Sequence, residues 1–84
     1  MKFKAAIHIM PRKEILDPQG KATQLGLHNL GFAQMDQVRI GKRIEMEVEA
    51  ADEAAARESV EAACRKLLAN TITEQFQFEL HPAA

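Results

Sequence analysis

From Ile44 to Ala50 the chain alternates without interruption: Ile44, Met46, Val48 and Ala50 are apolar, and Glu45, Glu47 and Glu49 stand between them. Successive side chains of an extended strand point to opposite faces, so this stretch is a strand with one dry side and one wet side. Upstream, Val38 and Ile40 keep the same parity, but an unbroken strand would put Lys42 on the dry face. The reading is therefore a hairpin, with Gly41-Lys42 as a two-residue type II′ turn in which glycine takes the positive-φ position.

The flanks supply the rest of a sheet and two helices. Residues 2–10 place Phe3, Ala5, Ile7 and Ile9 on one face and Lys2, Lys4, Ala6 and His8 on the other, and Pro11 ends that strand. Asp17 is a preferred helix N-cap and Pro18 suits the first helical position, whose N–H has no intrahelical partner. A helix from Pro18 carries Ala22, Leu25, Leu27 and Leu30 on its apolar side and stops at Gly31 as a left-handed C-terminal cap. Gly20 and Gly26 weaken this helix, and close packing of backbone on the sheet or the approach of a partner chain would account for them. Asp52 caps a second helix in which Ala56, Val60, Ala63, Cys64 and Leu67 recur at helical spacing, and Asn70 stops it. Period two returns from Ile72, with Phe76, Phe78 and Leu80 inward. Strand, helix, hairpin, helix, strand is the order of a ferredoxin-like βαββαβ fold. The expectation is an α+β domain over 1–84, a four-stranded antiparallel sheet with two helices on one face.

Composition narrows the function classes. Eleven Lys and Arg against 12 Asp and Glu give a net charge of −1, which leaves no electrostatic footprint for nucleic acid or an anionic membrane. One cysteine, Cys64, cannot form an internal disulfide, and no apolar run is long enough for a membrane span, so a cytoplasmic location is expected. His8, His28 and His81 fall on different elements without metal-ligand spacing, and neither Ser59 nor Cys64 stands in a nucleophile motif. No catalytic, cofactor or metal residue is assigned. An RNA-recognition module would expose aromatics on its sheet, whereas these phenylalanines share the helix-facing parity. Arg12 stands where an acylphosphatase-type anion loop would need it, but Met10-Pro11-Arg12-Lys13 contains no glycine. A stand-alone dimeric regulatory domain that binds a small ligand fits the pattern as an alternative. A small core and unpaired sheet edges favour a homodimer, with pairing into tetramers open.

Five stretches together carry a resemblance: Leu16-Asp17-Pro18-Gln19-Gly20-Lys21-Ala22, Leu30-Gly31-Phe32, Val38-Arg39-Ile40-Gly41-Lys42, Ile44-Glu45-Met46 and Lys66-Leu67-Leu68-Ala69-Asn70. In this order and spacing they resemble the PurS family, the small subunit of phosphoribosylformylglycinamidine synthase. Thr71 stands where the family commonly has proline, and the 10–15 connection is more basic than usual. The resemblance implies a non-catalytic assembly subunit of purine biosynthesis. It would join a glutaminase subunit to an ATP-dependent synthetase subunit and help ammonia pass between them. It also implies no cofactor in this chain, with ATP, magnesium and glutamine used by the whole complex. The helix start, Asp17, Pro18, Gln19 and Gly20, and the hairpin tip, Arg39, Gly41, Lys42 and Arg43, are the expected partner-binding residues.

Overall fold

In the computed structural model, which describes residues 1–83, the longest run of fully buried alternating positions lies at the N-terminus. Strand β1 (Lys2–Pro11) sends Phe3, Ala5, Ile7 and Ile9 inward, each at most 2% exposed. Helix α1 (Pro18–Asn29) comes next, then strand β2 (Lys42–Glu49), helix α2 (Glu53–Ala63) with a π-helical turn at Cys64–Leu68, and strand β3 (Glu74–Pro82). The sheet has three strands in the order β2-β1-β3, all antiparallel, with Ile7 opposite Ile44 on one side and Phe78 on the other.

The α+β class stands, but the expected four-stranded ferredoxin-like sheet does not. Residues 38–40 form no strand, and two of their N–H groups are engaged elsewhere. Gln24 Oε1 accepts from the Val38 N–H at 3.1 Å and Asp17 Oδ2 from the Ile40 N–H at 3.0 Å. Side chains of α1 and its cap thus take the donors that a fourth strand would offer to the ladder. No type II′ turn forms either, since the one glycine with positive φ is Gly31, at 98°. Gly41 is needed for a different reason: a Cβ there would collide with the Ile9 carbonyl oxygen and the Met10 sulfur.

The core lies between one face of the sheet and α2. Ala56, Val60 and Cys64 of the helical segment and Leu80 of β3 close over the β1 row, with Ala69 beside them. Asp52 caps α2 through its side chain, accepting from the Ala55 N–H at 2.8 Å. The guanidinium groups of Arg57 and Arg65 lie over the rings of Phe78 and Phe76, 5.6 and 5.5 Å from their centres, a cation–π placement on the sheet face that α2 covers. At its end α2 widens, and the Ala69 N–H reaches the Cys64 carbonyl at 2.9 Å. The extra residue in that turn shifts the helical phase of its last residues. Leu67, expected on the apolar side, is 83% exposed, whereas Leu68 is half-buried and Ala69 is buried.

Helix α1 departs most from expectation. Rather than packing on the sheet, it stands away from it, with Gly20 its only buried residue and Leu25 and Leu30 63% and 76% exposed. The molecule measures 51 × 29 × 14 Å with a radius of gyration of 16.4 Å. A compact chain of this length has a radius of about 12 Å. The shape is a sheet-and-helix body with a helical arm.

Candidate functional site at the joint of arm and body

The arm is more than α1. The chain after the helix folds back along it and is tied to it by side chains at three positions on the helix and its cap. Asp17 Oδ1 caps the helix, accepting from the Gly20 N–H at 3.0 Å, and its other oxygen holds Ile40. Gln24 holds Val38. His28 donates from Nε2 to the Met35 carbonyl at 2.7 Å, which fixes the proton on that nitrogen because a carbonyl can only accept. The same ring nitrogen lies 3.4 Å from Asp36. The Phe32 N–H returns to the Leu27 carbonyl at 2.9 Å, and Gly31 makes the left-handed turn that permits it.

Two of the expected partner-binding groups therefore meet. Asp17 and Gly20 lie against Val38, Arg39 and Ile40: a Cβ on Gly20 would collide with the Val38 carbonyl oxygen, so the glycine permits that crossing of backbones. A Cβ on Gly26 would meet nothing within 4 Å among the described residues, and nothing among them explains this glycine. Pro18 and Gln19 form the first turn of the arm. Gly41 lies against the end of β1, at the other side of the joint. Lys42 and Arg43 belong to β2 rather than to a hairpin tip, and they pair with Glu74 at 3.9 Å and Glu45 at 3.0 Å. Sequence reasoning misses the role of Gln24 and His28, although polar residues one turn apart on a leucine-rich helix are a readable sign of a bound neighbour.

Electrostatics at the joint centre on Asp17. The Gly20 N–H, then the Ile40 N–H, hold its carboxyl below the usual range against the opposing effect of lost solvation, and the nearby Arg39 guanidinium adds a lesser lowering. Arg39 itself has an Nη2 that is shielded from solvent and makes no hydrogen bond among the described residues. On the far side of β1, Arg12 donates from Nη2 and Nε to the Thr71 carbonyl at 2.8 and 3.2 Å. The basic connection and the threonine, the two departures from the family pattern, thus touch each other.

Among the described residues no three His, Cys, Asp or Glu converge as metal ligands. Cys64 is buried in the core, where loss of solvation, then the charge of Glu61, raises its thiol pKa. Among the described residues no helix is long and apolar enough to cross a membrane.

A three-stranded sheet backed by one helix, carrying a side-chain-latched arm with uncovered leucines, defines a class: a small α+β chain whose conformationally special residues gather at a joint. The profile of the PurS family, described as phosphoribosylformylglycinamidine (FGAM) synthase, matches residues 4–82. The chain is 45% identical to the phosphoribosylformylglycinamidine synthase subunit PurS of Synechocystis, covering 93% of this chain and 78% of that one. To the subunit of the same name from Bacillus subtilis it is 36% identical, covering 93% and 92%. Among solved structures, B. subtilis PurS superposes with a TM-score of 0.87 at 35% identity over 95% of this chain and 99% of that one. A chain of the structure of PurLQS from Thermotoga maritima superposes with a TM-score of 0.88 at 32% identity over 96% and 99%. The chain belongs to the PurS family of phosphoribosylformylglycinamidine synthase subunits.

Proposed function

We propose that this chain is the assembly subunit of phosphoribosylformylglycinamidine synthase in purine biosynthesis, joining the glutaminase and ATP-dependent synthetase subunits and supporting ammonia transfer between them. It works in the cytoplasm without a cofactor of its own, while the complete enzyme uses ATP, magnesium and glutamine. The observation that carries this reading is the arm: α1 holds its joint residues in place yet leaves Leu25 and Leu30 uncovered. Exposed leucines on an ordered helix are a surface for another chain. The likeness to a chain of the PurLQS structure supports it. Mixing the purified chain with the synthetase and glutaminase subunits should raise glutamine-dependent product formation at least tenfold. An equal rate without the chain would refute the proposal.

A second copy is the partner proposed for part of the arm, because a body this small gains stability by association. Sedimentation at micromolar concentration should give a dimer, and Leu25→Asn, which removes no buried contact within the chain, should weaken it at least tenfold. A wild-type monomer at that concentration would sink the dimer.

A further inference from the structure

The outer edge of β3 is open, and the backbone groups along it can be assigned one by one. Two bonds fix the phase of the β1–β3 ladder: the Ala83 N–H reaches the Lys2 carbonyl at 2.8 Å, and the Arg12 N–H reaches the Thr73 carbonyl at 2.9 Å. The register is unbroken between them. Gln75, Gln77, Glu79 and His81 therefore turn their backbone groups toward β1, and Phe76, Phe78 and Leu80 turn theirs outward. No strand lies beyond β3, and these outward N–H groups have no acceptor among the described residues. The helix-facing side of the strand is also incompletely covered. Helix α2 lies chiefly over β1 and β2, and Phe76 and Phe78 are only half-buried beneath its arginines.

From this geometry we infer that β3 pairs antiparallel with β3 of a second copy about a two-fold axis at Phe78, a self-association surface separate from the arm. Phe78 is the midpoint of Glu74–Pro82, so this register overlaps the whole strand. Phe78 then opposes itself and Phe76 opposes Leu80, and each outward N–H of one copy meets a carbonyl of the other. The end pair leaves no donor stranded: the Glu74 N–H is already held by the Asn70 carbonyl at 2.6 Å, and Pro82 has none. On the wet face Gln77 opposes Glu79 and Gln75 opposes His81, so no like charges meet. This closure of the edge on itself is what selects a second copy as the occupant. The opposite edge of the sheet lacks it. The Ala50 N–H bond to the Met1 carbonyl, at 2.9 Å, sets the phase of β2 and turns Arg43, Glu45, Glu47 and Glu49 outward. Pairing β2 with itself about residue 45 or 46, the registers of greatest overlap, sets Glu45 against itself or against Glu47. Charges placed in this way keep a strand edge from self-pairing, and β3 has none from Gln75 to Phe78.

Oxidative cross-linking of the full chain tests the pairing. Gln77 and Glu79 are exposed, and across the two-fold they form a non-hydrogen-bonded pair, the close spacing that suits a disulfide. A mixture of the Gln77→Cys and Glu79→Cys chains should give a covalent dimer containing one of each, while either chain alone gives far less. Gln77→Glu sets like charges opposite each other twice in the pair and should weaken this association about tenfold, with an unchanged melting temperature at low protein concentration. In sedimentation at submillimolar concentration the wild type should pass from dimer to tetramer. Leu25→Asn should then stop at a dimer paired through β3, and Gln77→Glu at a dimer paired through the arm. Absence of the mixed disulfide, with Gln77→Glu associating like wild type, would overturn the inference and leave the arm untouched. Cross-linking of Gln77→Cys with itself in preference to the mixture would overturn the register at Phe78. A wild type that never exceeds a dimer, with that dimer abolished by Leu25→Asn, would overturn the β3 pairing altogether.

Discussion

Replacing Gly41 by alanine separates two explanations for a glycine at that position. A turn glycine is required for its positive φ, and asparagine is then the least damaging substitute. Gly41 has no positive φ, and the atoms its Cβ would meet are the Ile9 carbonyl oxygen and the Met10 sulfur. The sulfur ends a flexible side chain and can move. The carbonyl cannot move easily, because Ile9 lies in the central strand with Lys42 opposite on one side and Phe76 on the other. The added methyl must therefore displace the entry into β2, an overpacking of the kind that costs about 1–3 kcal/mol. For a domain of this size that is a fall in melting temperature of about 5–20 °C. Urea unfolding at one fixed protein concentration reads it directly, since self-association would otherwise shift the midpoint. Gly41→Asn should be at least as damaging as Gly41→Ala. Adding Met10→Ala to Gly41→Ala should recover little, because the carbonyl collision stays. A Gly41→Ala protein within about 0.5 kcal/mol of wild type, the range of an uneventful surface change, would refute close approach as the reason for the glycine.

The remaining predictions concern the cap, the core and the latch. Asp52→Ala removes the side-chain bond to the Ala55 N–H and should cost about 1 kcal/mol in urea unfolding. Val60→Ala, at a position 1% exposed, should cost about 2 kcal/mol by leaving a void under β1. Cys64 should resist thiol reagents at pH 8 in the native protein and react fully in denaturant, since its raised pKa and burial both withhold the thiolate; rapid native labelling would contradict the buried placement. The Asp17 carboxyl has a folded pKa below its ordinary value of 3.8, so its contribution is fully present above that value and is lost as pH falls through it toward the folded pKa. The stability gap between wild type and Asp17→Asn should be constant from pH 7 to about 5 and narrow toward pH 3, and an unchanged gap at pH 3 would refute the latch.

Local signals in the sequence are largely sufficient for the elements. Asp17-Pro18 begins α1, Asp52 begins α2, Gly31 takes the left-handed cap and Pro82 closes β3, because caps and prolines act on neighbouring backbone. The alternation of Ile44 to Val48 proves to be β2. What alternation does not convey is where a donor is spent. Val38 and Ile40 have the parity of a strand, yet Gln24 and Asp17 take their N–H groups across the chain. Nor does the leucine spacing of α1 say whose surface covers it, since a helix face buried by its own sheet and one left for another chain read alike. The joint is partly legible: the helix cap and the 39–41 stretch each stand out separately, and the long-range bonds of one aspartate join them.

Of the three strands of the sheet, the one synthesised first is the last to be completed. β1 occupies the middle of the sheet, and its partners, residues 42–49 and 74–82, emerge far later, with Phe3 meeting Pro82 at nearly opposite ends of the chain. Every ladder in the sheet is therefore a long-range closure, and local helix formation cannot substitute for it. Until the C-terminal strand is released, the nascent chain carries the strand that supplies the largest share of its core with at least one edge unpaired, a species prone to aggregate or to borrow a strand from a neighbour. Truncation by a single strand at the C-terminus would thus remove half of the pairing of the N-terminal one.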